Sequence, residues 1–425
     1  MLKKIQQIWK AKDIRNSILY VLALLIVFRI AAHIPIPGVD ASSLRDIFSS
    51  NDVLGLLNLF SGGGMENFSI VMLGVGPYIT ASIIFQLLGM IVPSLEALQK
   101  EGEYGQQKIN QYTRRLTVPL AAVQAYGFIN LLDQRTSGAL MAGMSSFQFF
   151  TAIVMVSAGT VFLMWLGELI TEKKIGNGIS LLIFAGIVAS LPQSLANTLV
   201  AFDSSQVLNF IIFAIIALIT IVVIVLITEG QRNIPVSYAR HMVGQHSAGG
   251  VNTHLPLRVN QAGVSPIIFA ISMILIPPTI AQFFLRSDVS WLANFSQKII
   301  DLFQNQTFYG IVYFVVVIVF TYFYTSIIFH PEQIAENLQK QGGFIPGIRP
   351  GRHTADYLHM VMTRIILAGA LFLGIVAVLP IVVGPLTGVR TMSLGGTSIL
   401  IVVAVVIETV KQIDAQLVMR DYEGF

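Results

Sequence analysis

The sequence predicts an all-α integral membrane protein with ten transmembrane helices, and its composition is the first reason. Only 11% of the 425 residues are charged, whereas soluble domains average about a quarter. The chain therefore has too few charged residues to cover a water-facing surface. Apolar runs of about 20 residues, the length that crosses a bilayer, recur along the whole sequence.

Ten such runs can be counted, and they are the predicted spans. They lie at about 17–34, 70–92, 116–132, 148–170, 178–200, 209–228, 264–285, 308–329, 363–383 and 397–416. The basic segment before the first run has no small-residue cleavage site after it, so no cleavable signal peptide is expected. An even number of spans places both termini on the same side of the membrane.

The positive charges alternate from loop to loop and predict which side this is. Twenty of the 26 Lys and Arg residues belong to segments on the amino-terminal side, five belong to the other side, and Arg29 lies within the first run. Cytoplasmic loops carry the excess of Lys and Arg in membrane proteins. Both termini are therefore predicted to be cytoplasmic.

Three connecting segments are long. Segments 229–263 and 330–364, on the predicted cytoplasmic side, are polar and longer than simple connections between neighbouring helices. The external segment 35–69 contains the run Ser61-Gly62-Gly63-Gly64 between moderately apolar residues. A re-entrant half-helix that protein shields from lipid fits this run. An ordinary external loop fits it equally well.

The spans lack the groups that ion transport or catalysis requires. Their ionisable residues lie only near the ends, at Arg29, Glu168, Glu408 and Lys411. Ion-coupled transporters need carboxylates or histidines at mid-depth. Cysteine is absent and the seven histidines lack ligand spacing, and neither a nucleophile elbow nor a phosphate-binding lysine loop is present. We expect no ion coupling, no enzyme activity, no metal and no cofactor.

Short motifs distributed along the whole chain carry a family resemblance. They are FRI at 28–30, HIPIPG at 33–38, FSGG at 60–63, LGVGPYITASI at 73–83, KEGE at 100–103, QYTR at 111–114, MWLGE at 164–168, IGNGIS at 175–180, THLPL at 253–257, PGIRPG at 346–351 and GGTS at 395–398. In this order, and within ten predicted spans, they resemble the SecY family.

The resemblance implies a fold, a function and partners. The fold is two inverted halves of five helices, residues 1–205 and 206–425, which hinge around a central pore. The function is that of a protein-conducting channel in the bacterial plasma membrane, which passes unfolded secretory polypeptides and releases membrane-protein helices sideways into lipid. The implied partners are SecE-like and SecG-like small membrane subunits, the SecA ATPase, the ribosome, signal sequences, unfolded substrate polypeptide and membrane lipids.

The resemblance also implies a pore ring. We call its members the ring isoleucines, and they are Ile79, Ile83, Ile179, Ile183, Ile268 and Ile401. A ring of flexible aliphatic side chains can dewet when empty and close around a chain in transit. Two i,i+4 pairs each place two side chains on one helix face. Ordinary packing is the alternative for any one of them, since isoleucine is common in membrane helices.

Two further sets follow from the same resemblance. The plug segment covers about 53–68, with Phe60, Ser61, Gly62, Gly63 and Gly64 at its centre. The lateral gate, between the second and third spans and the seventh and eighth, is assigned a set of polar residues. These gate residues are Ser82, Gln86, Thr117, Gln124 and Asn177. For each of them, an ordinary contact within a helix pair remains the alternative.

The two long cytoplasmic segments are implied to dock the motor and the ribosome. The docking arginines are Arg240, Arg258, Arg349 and Arg352. Arginine suits both RNA phosphates and protein interfaces. Positive-inside topology alone accounts for most basic residues here. Arg349 is different, because two prolines and two glycines surround it.

One other class of protein remains open on the residues alone. A small-solute transporter built from inverted repeats would also have many spans and broken helices. Uncharged span centres and long docking segments favour the polypeptide channel instead. An intramembrane enzyme is excluded by the lack of a catalytic constellation.

Overall fold

The computed structural model of the chain describes residues 2–37, 58, 61–135, 145–200, 207–238, 242–243, 246–247, 252–285, 289–387 and 396–423. The helices in this part of the chain are α1 Leu2–Lys10, α2 Lys12–Ala31, α3 Gly76–Ile91, α4 Pro93–Lys100, α5 Glu103–Arg135, α6 Ser146–Glu172, α7 Gly178–Val200, α8 Val207–Glu229, α9 Ser265–Phe284, α10 Ser290–Gln304, α11 Gln306–Ile328, α12 Pro331–Lys340, α13 Arg352–Thr387 and α14 Gly396–Glu423. The strands are β1 Gln231–Tyr238, β2 Met242–Val243, β3 His246–Ser247, β4 Asn252–Arg258 and β5 Gly343–Phe344.

Each predicted span falls on one of these helices. Six helices of the described part are long and apolar enough to cross a membrane, and a seventh is obtained when α3 and α4, which meet at 102°, count as one span. The helices α7 and α8 contribute shorter apolar segments, Gly178–Pro192 and Ala214–Glu229. The tenth run lies within α14. The chain is a mostly helical, multi-pass membrane protein, consistent with ten spans.

Several helices begin at other residues than predicted, and α3 and α5 show two reasons. The second run was expected from 70, but α3 begins at Gly76. Gly74 has a φ of +58°, which no right-handed helix contains, and Pro77 lies in the first turn of α3, where proline is tolerated. The third run was expected from 116, but α5 begins at Glu103 because its polar first turns are also helical. Apolar runs therefore mark the middle of a helix better than its ends.

One hydrophobic core joins all ten long helices. The helices α2, α3, α5, α6, α7, α8, α9, α11, α13 and α14 each contribute at least one buried side chain to it. Among the largest fully buried residues are Phe28 on α2, Leu182 on α7 and Tyr313 on α11. The two predicted halves meet where α9 contacts α3 and α5, and where α14 contacts α7.

Two of the ionisable residues near the span ends, Glu168 and Lys411, form ion pairs. Arg114 on α5 lies 2.6 Å from the Glu168 carboxylate on α6, and Lys411 on α14 lies 2.7 Å from Glu229 on α8. Charged groups at the edge of a bilayer are tolerated when they are paired or reach water. These two ion pairs connect neighbouring helices and lie away from the middle of the core.

The two long polar segments fold together, which the sequence did not predict. Strand β1 pairs antiparallel with β4 on one side and with the short β5 on the other, although β5 lies in the second segment. Ile234 and Val236 of β1 are buried against Leu338 of α12 and Leu358 of α13. We call this unit, formed by β1, β4, β5, α12 and the first turns of α13, the loop domain.

Candidate functional site: an aliphatic cavity between helices

The ring isoleucines come from four helices and share one core. Four of them, Ile79, Ile83, Ile183 and Ile401, are buried members of the large hydrophobic cluster. The other two, Ile179 and Ile268, are partly exposed and pack against the same cluster. The helices concerned are α3, α7, α9 and α14, so both predicted halves contribute.

Three of the ring isoleucines line a cavity of about 100 Å³. They are Ile79 on α3, Ile183 on α7 and Ile268 on α9. Ile83, Ile179 and Ile401 do not line it. The other lining residues are Ser61, Met65, Leu73, Val75, Gly76, Thr80, Gln124, Phe128, Ile271, Ser272, Ile276 and Thr279.

The chemistry of this lining is apolar with a few neutral polar groups. No residue in the described lining is charged. The volume has room for several water molecules, but aliphatic walls offer them few hydrogen bonds. Such a cavity can stay dry without a ligand and can accept side chains of any type. It offers nothing that would activate a substrate chemically.

The glycine-rich centre of the plug segment lies against this cavity. Ser61 and Met65 belong to its lining. The Ser61 hydroxyl donates to the carbonyl of Asn58 at 2.9 Å and accepts from the Met65 amide at 3.2 Å. Phe60 and residues 53–57 lie outside the described residues, so the half-helix predicted there is not tested. Residues 61–75 form successive turns.

Gly62 is the position where the plug segment is held most closely. Its φ of +70° is left-handed, and a Cβ there would lie 2.8 Å from the Phe28 ring and 3.2 Å from the Cα of Gly186. The guanidinium of Arg29 donates to the Gly62 carbonyl. The segment is therefore held between α2 and α7. Gly63, at φ +81°, has open space around it, and Gly64 packs against Ser69.

A short backbone pairing anchors the far end of the segment. The amide of Ile36 donates to the carbonyl of Phe68 at 2.9 Å, and the amide of Ile70 donates to the carbonyl of Ile34 at 3.1 Å. These bonds flank the bridge between Pro35 and Ser69. The segment after α2 thus returns to the end of that helix before α3 begins.

The gate residues are placed in different ways. Gln86 donates to the Ser82 hydroxyl at 3.2 Å, one turn away on α3. Gln124 on α5 donates to Thr80 on α3 at 3.5 Å, so it connects the second and third spans. Since α9 contacts both of these helices, Ser82, Gln86 and Gln124 lie on helices that face α9.

Thr117 and Asn177 each form hydrogen bonds to backbone groups that are close in the sequence. The Thr117 hydroxyl is buried and donates to the carbonyl of Thr113 on its own helix at 2.8 Å. Asn177 precedes α7, and its side-chain oxygen accepts from the amides of Ile179 at 3.1 Å and Ser180 at 3.2 Å. Asn177 is the N-cap of α7, a role for which asparagine is favoured. Both fit the alternative of an ordinary local contact.

Three docking arginines lie on the exposed surface of the loop domain. Arg258 ends β4, Arg352 begins α13, and Arg349 lies in the turn between β5 and α13. Arg240 is outside the described residues. In the turn, Gly347 and Gly351 have φ of +82° and +94°, and Thr354 donates to the Arg349 carbonyl at 3.0 Å. Ile345 and Ile348 pack into the loop domain, so the turn is anchored while Arg349 points outward.

Sequence reasoning missed the residue that holds the plug segment. Arg29 was noted only as a charge near a span end. An arginine in a membrane span needs a charged or hydrogen-bonding partner, and this rule could have singled out Arg29. Its partner is a backbone carbonyl 33 residues away in the sequence. Met65 and Thr80, which line the cavity, carried no signal of their own.

These features define a class of protein: a multi-pass helical membrane protein with an uncharged aliphatic cavity between its helices and a glycine-rich segment against that cavity. The comparisons with known proteins agree with this class. The SecY family model matches residues 69–410, which is most of the chain. The chain belongs to the SecY family.

Curated relatives match over the full length. The protein translocase subunit SecY of Streptomyces scabiei is 44% identical, and the match covers 100% of both chains. The subunit of the same name from Corynebacterium glutamicum is 45% identical, with 98% of each chain covered.

Solved structures support the fold at lower identity. A structure described as a protein conducting channel has a TM-score of 0.62 at 18% identity, covering 93% of this chain and 90% of that one. A structure concerning the plug domain of the SecY protein has a TM-score of 0.60 at 18% identity, covering 92% and 90%. Sec61 in a canine ribosome-channel complex has a TM-score of 0.56 at 18% identity, covering 93% and 90%.

Proposed function

We propose that this chain is the channel subunit through which a protein translocase moves unfolded polypeptide across the bacterial plasma membrane. As a member of a family of channel subunits, it is not an enzyme. The observation that carries the proposal is the cavity of about 100 Å³ between α3, α7 and α9, whose described lining has no charged residue. A conduit for arbitrary side chains must not bind any one of them strongly, and this lining satisfies that condition.

In this proposal the six ring isoleucines form the narrowest point of the route. Ile79, Ile183 and Ile268 already face a common space, and the other three pack in or against the same core. Aliphatic side chains adapt to a passing chain by changing rotamer, so they can seal around it. The ordinary-packing alternative predicts that no substrate atom reaches them.

The plug segment is proposed to close the empty channel. Its support is that Ser61 and Met65 line the same cavity as the ring isoleucines. Gly62 and Arg29 hold it against α2 and α7. A structure with the same fold concerns a SecY plug domain that maintains a membrane seal. Substrate would displace this segment towards the end of the channel opposite the loop domain.

Lateral release is proposed at the contact of α9 with α3 and α5. Gln124, Gln86 and Ser82 are the gate residues that fit it, because their side chains take part in side-chain hydrogen bonds within α3 or between α3 and α5. Thr117 on α5 instead bonds to the backbone of its own helix. The buried side-chain oxygen of Gln86 has no hydrogen-bond partner among the described residues, which makes this polar site easy to rearrange. Hydrogen bonds between membrane helices contribute about 0.6 kcal/mol each, so a few of them can hold the seam shut and still yield to a hydrophobic signal helix.

The loop domain is proposed as the docking site of the motor and the ribosome, on the cytoplasmic side with both termini. The excess of Lys and Arg in the segments on that side supports the orientation. Exposed Arg258, Arg349 and Arg352 support the docking, and one structure of the same fold is a ribosome-channel complex. SecA, the SecE-like and SecG-like subunits, signal sequences and lipids are the further proposed partners.

Disulfide crosslinking tests the route directly, because the chain contains no cysteine. Ile183→Cys places one thiol at the cavity, and a secretory precursor with a single cysteine is stalled halfway through export. Val188→Cys is the matched control: it lies on the same helix, turned by about 140°, and its side chain is exposed. We expect a crosslink at position 183 and none at 188.

The result can also contradict the proposal. Equal crosslinking at both positions would mean that the precursor passes outside the cavity. Crosslinking at 188 alone would place it on the outer surface of α7. Either outcome removes the ring assignment, whereas a crosslink confined to position 183 supports it.

A further inference from the structure

Helix α10 occupies a fixed position at one end of two spanning helices. It follows α9 and ends where α11 begins: the Asn305 amide donates to the carbonyls of Asp301 and Leu302, and the Asn305 side chain accepts from the amides of Thr307 and Phe308. The Phe303 ring packs edge-on against Phe308 at 5.5 Å. No flexible residue separates the two helices.

The depth of α10 in the membrane follows from its neighbours. Strand β4 leads into α9, and α11 leads into α12. Leu257 of β4 and Leu338 of α12 are both buried in the loop domain. Because α9 and α11 share one end with the loop domain, α10 lies at their opposite end, where the spans leave the bilayer.

The surface of α10 has three sectors rather than two. Its inner face is buried, with Ser296 and Ile300 packed against the protein. A polar sector contains Asn294, Gln297 and Asp301, and the last two bond to each other at 2.8 Å.

Between these faces runs an apolar strip of Trp291, Phe295 and Leu302, which are 68%, 56% and 46% exposed. At 3.6 residues per turn the three positions fall within an arc of about 40°. An exposed apolar strip does not stabilise a helix that is surrounded by water. It does stabilise a helix that lies in a membrane interface, because one side of that helix meets protein, one side meets water and the third side meets lipid.

The strip fits lipid better than a partner protein. Three side chains of this size offer at most a few hundred Å², whereas a stable protein interface buries about 800 Å² per partner. The neighbouring spans also expose apolar residues, namely Ile280 and Phe284 on α9 and Ile311 on α11, as helices that face lipid do. Tryptophan is enriched at the boundary between headgroups and acyl chains.

We infer that α10 is an interfacial helix whose strip of Trp291, Phe295 and Leu302 inserts into the headgroup–acyl boundary of the bilayer. The ligand is the lipid surface itself. The insertion fixes the ends of α9 and α11 at one depth, and α9 is the helix that contacts α3 and α5.

Spin labels on single cysteines test this inference, and the natural absence of cysteine makes the background silent. Phe295→Cys and its neighbour Asn294→Cys are labelled with a nitroxide in the full-length chain, in vesicles of phosphatidylethanolamine and phosphatidylglycerol. The two positions are at the same height along α10 but about 100° apart. Collisions with molecular oxygen and with a water-soluble nickel complex then report the depth of each label.

We expect the label at 295 to lie about 5–10 Å below the phosphates, with the label at 294 in water. Leu302→Cys and Asp301→Cys repeat the comparison about two turns further along the helix, in case either first variant fails to fold. A label at 295 that collides freely with the nickel complex would overturn the inference. Low collision with both reagents would overturn it too, because that result means a covering protein.

Discussion

Replacing Gly62 by alanine is the sharpest test of how the plug segment is held. An L-residue at φ +70° costs about 1–2 kcal/mol. The new Cβ would also lie 2.8 Å from the Phe28 ring, and such overpacking adds about 1–3 kcal/mol. The closed position of the segment is therefore destabilised by about 2–5 kcal/mol. At about 1.4 kcal/mol per factor of ten, its undocked population rises at least about 30-fold.

Gly63→Ala is the matched control for this change. Gly63 has a similar φ, +81°, but a Cβ there meets nothing within 4 Å. The Gly63→Ala variant carries only the backbone cost of about 1–2 kcal/mol. The undocked population of its plug segment should therefore rise by about 5- to 30-fold. The difference between the two variants isolates the close packing of Gly62 against Phe28 and Gly186.

Ion leak measures the result. Purified channel is reconstituted in a planar bilayer without substrate, and the resting conductance is compared for the native chain, Gly62→Ala and Gly63→Ala. We expect the largest conductance for Gly62→Ala and an intermediate one for Gly63→Ala, with thermal unfolding of the core little changed. A native-like conductance for Gly62→Ala refutes the assignment of the segment as a seal, and equal leak in both variants refutes the role of the close packing against Phe28 and Gly186.

Two further predictions concern the loop domain and the N-cap of α7. Arg349→Glu should abolish motor-driven export into inverted vesicles while the protein remains inserted, because the anchored turn presents this side chain outward. Arg349→Lys is the control and should retain part of the export activity. Export by the glutamate variant at the native rate would remove Arg349 from the docking surface. Asn177→Leu removes two hydrogen bonds to backbone amides and should lower stability by about 0.5–2 kcal/mol in thermal unfolding, whereas Asn177→Ser keeps a cap. If Asn177→Ser restores stability but signal-sequence selection stays altered, the residue acts in the gate and not only as a cap.

The spanning helices were predictable because each depends on a local property. An apolar run of bilayer length must be helical in lipid, whatever the rest of the chain does. Helix ends depend on single residues instead. The left-handed Gly74 delays the start of α3, and the polar but helical residues after Glu103 advance the start of α5. These features add little to a hydropathy average.

The loop domain could not be read from the sequence because its pairings are long-range. Strand β1 does alternate, with Ile234 and Val236 buried, but Pro235 argues against a central strand. The structure explains this exception. Strand β5 pairs only with Ser237 and Tyr238, so Pro235 has β4 on one side and an open edge on the other.

Some of the assigned site residues are assigned a role only as a group, whereas others have a structural role of their own. The ring isoleucines have no distinguishing feature singly, and only the resemblance to the family assigned them to one ring. Asn177 stands in an equally specific motif, IGNGIS at 175–180. Its bonds nevertheless show a helix cap, so a motif can mark a structural requirement as readily as a functional one.

The hydrogen-bond partner of Arg29 explains how the proposed plug segment can be held firmly and still be released. A hydrogen bond to a charged donor contributes about 1.5–3 kcal/mol, whereas breaking a buried ion pair costs about 3–5 kcal/mol. Arg29 holds the plug segment through the Gly62 carbonyl, the weaker of these two arrangements. Burying one large apolar side chain of a signal helix contributes about 1.5–3 kcal/mol, so in the proposed function one or two such side chains would offset the loss of this bond. An ion pair in place of this bond would hold the segment more firmly and raise the threshold for opening.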